Sequence, residues 1–252
     1  MVQSISSVLG RGAVAAVAVL LASAALAQAP GGPPAQEKPK NLKVLPKDWT
    51  RAQVINVMRN FTGALGVECE FCHVQKEGSP PDFASDDKKE KNMARAMLKI
   101  TADLNARLPK DFGMPAAKVT RVQCITCHRG VPEPKQLSEI LAKTSADKGF
   151  DAAEAQYKDL KSKYYGAQAY DFSENGLIAT ARPLIGNRTD EAMKFLELNA
   201  QLFPQSAETY VVMAQAQQAK KDMPGAMASL EKALSIDPKN GFARRMLSQM
   251  KK

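Results

Sequence analysis

Every cysteine and every histidine in this chain falls inside one of two short boxes. They are Cys69-Glu70-Phe71-Cys72-His73 and Cys124-Ile125-Thr126-Cys127-His128. Each has the form C-x-x-C-H, the signature for attaching a c-type haem. The order suits the chemistry. Two thiols add across the two vinyl groups of the haem and become thioethers, and the residue after the second cysteine supplies the imidazole beneath the iron. The sequence therefore predicts two covalent haems, with Cys69, Cys72, Cys124 and Cys127 as attachment points and His73 and His128 as iron ligands. Two other uses of paired cysteines fit less well. A four-cysteine zinc site leaves a histidine unexplained after each pair and needs an unusually long insert between the pairs. A thioredoxin-like dithiol expects a βαβ setting. An exported protein with four cysteines often carries disulfides, but haem boxes leave no cysteine for one.

The N-terminus reads as an export signal. An apolar run over residues 13–26 ends at Ala25-Leu26-Ala27, a small-residue cleavage site before Gln28. The run is short for a membrane span and typical of a signal h-region. The expected organisation is a signal peptide at 1–27, a flexible linker at 28–40, a di-haem domain at 41–135 and a helical domain at 136–252. The mature chain is expected in the periplasm, with no transmembrane segment. The net charge is +9, but no basic run interleaves with aromatics, so nucleic acid is not an expected partner. The positive charge suits attraction of an acidic redox partner.

With both histidines used, each iron needs a different sixth ligand. Methionine is the usual choice, and the chain has 11 of them. Residues 50–65 read as a helix, capped by Thr50 and ended by Gly66. Its apolar face carries Val54, Met58, Phe61 and Leu65, and Met58 precedes the first box closely enough to reach its haem. A second helix is expected at about 87–108, with Met93, Met97, Ile100 and Leu104 along one face. Met93 and Met97 are equal candidates for the second iron, and Met114, in a loop before Pro115, is a third.

The run Asn41-Leu42-Lys43-Val44-Leu45-Pro46, then Met58, then Leu65-Gly66-Val67 before the first box resembles the cytochrome c subunit of photosynthetic reaction centres. So do Ala94-Arg95-Ala96-Met97, Asn105, and Cys127-His128-Arg129-Gly130 with Pro132 soon after. The resemblance covers about residues 40–135. It implies a repeated unit of helix, turn and haem box in which the helix supplies methionine. Carried over, Met58 and His73 would hold the first haem, and Met97 and His128 the second. The chain departs from that pattern in having two boxes where the subunits typically have four haems. It also lacks the lipid-anchored cysteine of several relatives and carries a C-terminal extension.

Beyond residue 135 the cysteine chemistry stops. Short helices are expected around 137–141, 150–165 and 172–185. Residues 207–240 fit one tetratricopeptide-like unit of helix pairs, with Tyr210, Ala214, Ala226, Ala233 and Pro238 near the usual positions. An earlier unit precedes it, with 172–185 as its first helix and 191–204 as its second, and a closing helix is expected at 241–250. Met213, Met223, Met227 and Met246 are expected to fill core or surface there and not to ligate an iron. The fold class is all-α: a di-haem c-type cytochrome domain followed by tetratricopeptide-like hairpins that suit docking to a protein partner. The expected function is electron transfer. A haem peroxidase or oxidoreductase would need an open iron and a distal acid–base residue, and a redox-assembly module would use the haems only as structure.

Overall fold

The computed structural model describes residues 38–251. The expected signal peptide, and most of the linker, lie outside the described residues. The architecture is all-α; among the described residues the one β feature is an isolated bridge between Val74 and Asp82.

The first helix, α1 (Arg51–Leu65), begins as the sequence predicts. The Thr50 hydroxyl accepts from Gln53 N, and Gln53 Oε1 accepts from Thr50 N at 2.9 Å, so the two orphan donors are satisfied reciprocally. Gly66 ends the helix at φ 65°, a left-handed conformation that costs a glycine little. A 3-10 turn over Cys69–Phe71 follows, then the bridge, then α2 (Lys89–Asp111). That helix runs three residues past the expected end, through Pro109. A proline this near the C-terminus removes one donor from the last turn rather than breaking the helix in its middle. The second box forms a single helical turn, α3 (Cys124–His128), and α1 packs against it.

The tail contains α4 (Leu137–Lys148), α5 (Phe150–Tyr164), α6 (Glu174–Ala181), α7 (Thr189–Leu202), α8 (Ala207–Ala219), α9 (Met223–Ile236) and α10 (Gly241–Met250). The helix expected at 172–185 is shorter than that. Pro183 cannot donate, so α6 stops at Ala181 and the chain finishes in a 3-10 turn over Arg182–Leu184. Ser173, Ser206, Asp222 and Asn240 each accept a backbone N–H at the start of a helix, which explains the sharp starts of α6, α8, α9 and α10.

The apolar core lies almost wholly in the tail. Leu141, Leu177, Phe195, Leu196 and Val212 form one cluster; Val211, Ala214, Leu230, Ala233 and Ala243 form a second. The neighbouring residues Val211 and Val212 enter different clusters, so α8 is a wall buried on two sides. Its Ala214 and Ala216 are completely buried, and side chains this small let helices approach closely on both faces. A buried polar chain fastens α7 to α8: Asn199 Nδ2 donates to Thr209 Oγ1 at 2.7 Å, and Thr209 Oγ1 donates to Ser206 Oγ at 2.8 Å. Residues 38–135 contrast with this. Their only buried apolar side chains are Ala64 and Val131.

Candidate functional site

The two boxes reach the same arrangement by different turns. In the first, the amides of Cys72 and His73 both donate to Cys69 O, at 3.3 and 3.0 Å. In the second, Thr126 N donates to Gln123 O at 3.0 Å and Gln123 N to Thr126 Oγ1 at 3.0 Å, closing a capped turn of α-helix. Residues three and four apart then share a face. Each box so presents its two thiols and its imidazole to one side.

The second box ends where Arg129 adopts a left-handed conformation (φ 50°). The chain doubles back there, and the ring of His128 meets Val131 O at 3.0 Å through Nδ1. A carbonyl only accepts, so Nδ1 carries the proton and Nε2 is left with a free lone pair. This is the tautomer a metal-binding histidine needs, held by an outer hydrogen bond that fixes the ring. His73 is arranged otherwise. Its Nδ1 is buried with no hydrogen-bond partner, and its ring meets the edge of Phe83 with centroids 5.0 Å apart. Burial lowers its pKa, and the charges of Lys91 and Arg95 lower it further against Asp82. The neutral imidazole, able to ligate, is favoured.

The cysteines are free thiols, Cys69 and Cys127 exposed, Cys72 and Cys124 half-buried. Burial pushes the Cys72 and Cys124 thiols up, the charge of Glu90 adding to the effect at Cys72. An uncharged thioether sulfur tolerates such a setting. Among the described residues no group of three or more His, Cys, Asp or Glu side chains gathers closely enough to hold a metal ion.

Three staples hold the segments around the boxes. Asn105 on α2 brackets Val122, with Nδ2 donating to Val122 O and Oδ1 accepting from Val122 N, both at 2.8 Å. That fixes the chain two residues before Cys124. Asp86 collects Asn41 Nδ2 at 2.8 Å, Lys43 Nζ at 2.6 Å, Arg95 Nη1 at 2.7 Å and Lys91 Nζ at 3.3 Å. Lys91 also donates to Phe83 O at 2.9 Å and Ala84 O at 3.1 Å, holding the loop that carries Phe83 to His73. The hydrogen bond from Lys43, followed by those from Asn41, Arg95 and Lys91, holds the Asp86 carboxyl far below the usual carboxylate range. Sequence reasoning missed Asp86, Lys91 and Phe83. Nothing in the sequence pattern marks the carboxylate that gathers these charges.

The candidate methionines are placed as follows. Met58 is half-buried on α1, the helix that leads into the first box. Met93 and Met97 lie one turn apart on α2, 61% and 43% exposed, and Met114 beyond its end is 44% exposed. In the tail, Met213 and Met246 pack against the apolar clusters, as expected.

The residues present fit a haem at each box. Thiol, thiol and imidazole share a face, and His128 is fixed in a ligating tautomer. Beside the boxes lie apolar side chains turned outward: Phe71 and Phe83 near the first, Ile125 in the second, and Met97, Ile100 and Leu104 along α2. An apolar macrocycle gains by covering such surface.

Residues 11–222 match the family model described as photosynthetic reaction centre cytochrome C subunit. The chain belongs to that family. Three similar proteins align over shorter stretches. Cytochrome c-554 of Chloroflexus aurantiacus is 38% identical over 82 residues, 32% of this chain and 18% of that protein. The photosynthetic reaction center cytochrome c subunit of Thermochromatium tepidum is 35% identical over 106 residues, 41% of this chain and 24% of that one. The subunit of the same name from Rubrivivax gelatinosus is 31% identical over 110 residues, 42% and 26% of the two chains. The alignments thus span about a quarter or less of each relative's length. The family match reaches past the second box through α8, beyond the stretch that carried the resemblance in the sequence.

Proposed function

We propose that this chain is an electron carrier with two haems, attached through Cys69 and Cys72 and through Cys124 and Cys127. His73 and His128 serve as proximal ligands, and Met58 and Met97 as the sixth. The single observation that carries this reading is the pair of turns that put two thiols and an imidazole on one face, using every cysteine and histidine in the chain. A haem supplies reversible one-electron chemistry at its iron, and methionine opposite histidine raises its potential. The chain's own contribution is ligation, orientation and exclusion of water. Val131 O orients His128, Phe83 shields one edge of His73, and α2 offers an apolar face on which Met97 is less exposed than Met93. An iron with six protein and porphyrin donors has no position for substrate, which favours electron transfer over peroxidase chemistry.

Lys89, Lys99, Lys110, Lys118 and Arg121 are exposed on and after α2. They support steering of a redox protein with an acidic docking face, an attraction that weakens as salt rises. The tail exposes Leu202, Met223 and Phe242, which supports its use as a protein-docking surface of tetratricopeptide type. Among the described residues no helix is long and apolar enough to cross a membrane. Periplasmic export is tested by fractionation and by finding a mature N-terminus at Gln28.

The function is tested by maturing the chain with c-type haem machinery. Mass analysis is expected to give two covalent haems, and the oxidised protein a red-region sulfur-to-iron charge-transfer band. Met58→Ala and Met97→Ala are each expected to lose about half of that band, one methionine ligating each iron. A colourless protein, or one with free thiols, overturns the reading. An unchanged spectrum in Met97→Ala moves the second ligand to Met93 or Met114.

A further inference from the structure

The end of α1 and the exit of the second box meet backbone to backbone. Gly130 N donates to Ala64 O at 2.9 Å. Gly66 lies so close that a Cβ built on it would sit 2.2 Å from Gly130 O and 3.0 Å from Gly130 C. The obstacle is a carbonyl of the main chain, which cannot rotate aside as a side chain could. Both glycines have positive φ, 65° and 87°. Ala64 and Val131, the two buried apolar side chains of residues 38–135, flank this contact in sequence.

The contact lies three residues before Cys69 and two after His128. At no more than about 3.6 Å per residue, those short tethers keep the Cα atoms of Cys69 and His128 within about 25 Å of one another. On the second side the tether is stiffer still. Val131 N donates to His128 O at 3.0 Å, and Val131 O holds the His128 ring. A displacement of Gly130 therefore moves the carbonyl that orients the imidazole.

We propose that the Gly66–Gly130 contact is the joint that locks the two boxes into one rigid unit, making Gly66 a positioning residue that sets the separation of the two haems. The proposal rests on the electron-carrier reading above. The joint does what a plain helix cap does not: it ties the segment before one box to the segment after the other.

The test compares Gly66→Ala with Gly113→Ala in the full, haem-loaded chain. Gly113 has nearly the same backbone angle (φ 62°) at the end of α2, but a Cβ there meets nothing within 4 Å. Both substitutions carry the left-handed strain, and only the first carries the clash. Electron paramagnetic resonance of the oxidised protein reads the magnetic interaction between the haems. Weakening or loss of that interaction in Gly66→Ala, with Gly113→Ala as wild type, is the expected result. Identical behaviour of the two variants overturns the proposal. If Gly66→Ala does not accumulate, hydrogen exchange in the wild-type protein decides: the Gly130 amide is expected to be protected by Ala64 O, and exchange at the rate of a free amide overturns the joint. A wild-type chain without covalent haem sinks the electron-carrier reading instead, and the Gly130 amide still reports on the contact.

Discussion

Asp86 ties the distant entry segment, through Asn41 and Lys43, to its own loop and to Lys91 and Arg95 at the start of α2. Its folded pKa is depressed, so its contribution to stability is present above the ordinary aspartate pKa and is lost as pH falls through the folded value. Asp86→Asn should therefore lower the melting temperature at neutral pH, and the gap from wild type should narrow once pH drops below about 4. A gap independent of pH down to strong acid would show that the charge is not what matters. Asn105 gives a second prediction at this scale. Asn105→Ala removes both hydrogen bonds to Val122, taking these partners from its N–H and its C=O, at a cost of about 1–3 kcal/mol. Guanidinium unfolding reads the loss, and disturbance of the second haem's spectrum but not the first's is expected to accompany it. Asn41, Arg95 and Asn105 were all in the run of residues that carried the resemblance, but the sequence did not say what they do. Each is a staple, and a staple is known only by its partner.

Among the elements, α2 and α8 are opposites. The 23 residues of α2 bury no side chain at all, whereas α8 is buried on two faces. Local sequence explains where α8 begins, because Ser206 caps it, whereas α2 starts without a side-chain cap and runs on through Pro109. Composition explains part of the difference in burial, since α8 is apolar on two faces and α2 on one, but what covers those faces comes from elsewhere in the chain. Capping makes a testable case in the tail. Asp222 accepts from Gly225 N at 3.0 Å to start α9. Asp222→Ala should cost about 1 kcal/mol, seen in thermal melts followed by helical circular dichroism, with the haem spectra unchanged. A shift in the haem bands of that variant would mean that the hairpin α8–α9 reports to the haem region.

For the molecule as a whole, the uneven core has a consequence for folding. The tail buries Phe195, Leu196, Leu177 and Leu230 completely, and each such burial is worth about 1.5–3 kcal/mol. Residues 38–135 bury only Ala64 and Val131. A variant with all four cysteines changed to Ala, expressed without haem maturation, should keep a protease-resistant fragment from about residue 137 onward and be cut freely before it. Uniform resistance along the chain would show that the first half holds itself together without covalent haem. Phe195→Ala, by contrast, should cost about 3–5 kcal/mol in the tail, read as a lower unfolding midpoint.

The two C-x-x-C-H boxes, the all-α class and the ends of α1 and α10 were legible in the residues alone. Each depends on spacing within a few positions: thiol and imidazole in C-x-x-C-H, Thr50 and Gly66 at the ends of α1, Asn240 before α10. What only the tertiary structure decided are the contacts between distant positions. The approach of Lys43 to Asp86 and the closeness of Gly66 to Gly130 involve partners 43 and 64 positions apart. Periodicity carries no information at that range, because it reports which face a residue occupies and not what the fold brings to meet it.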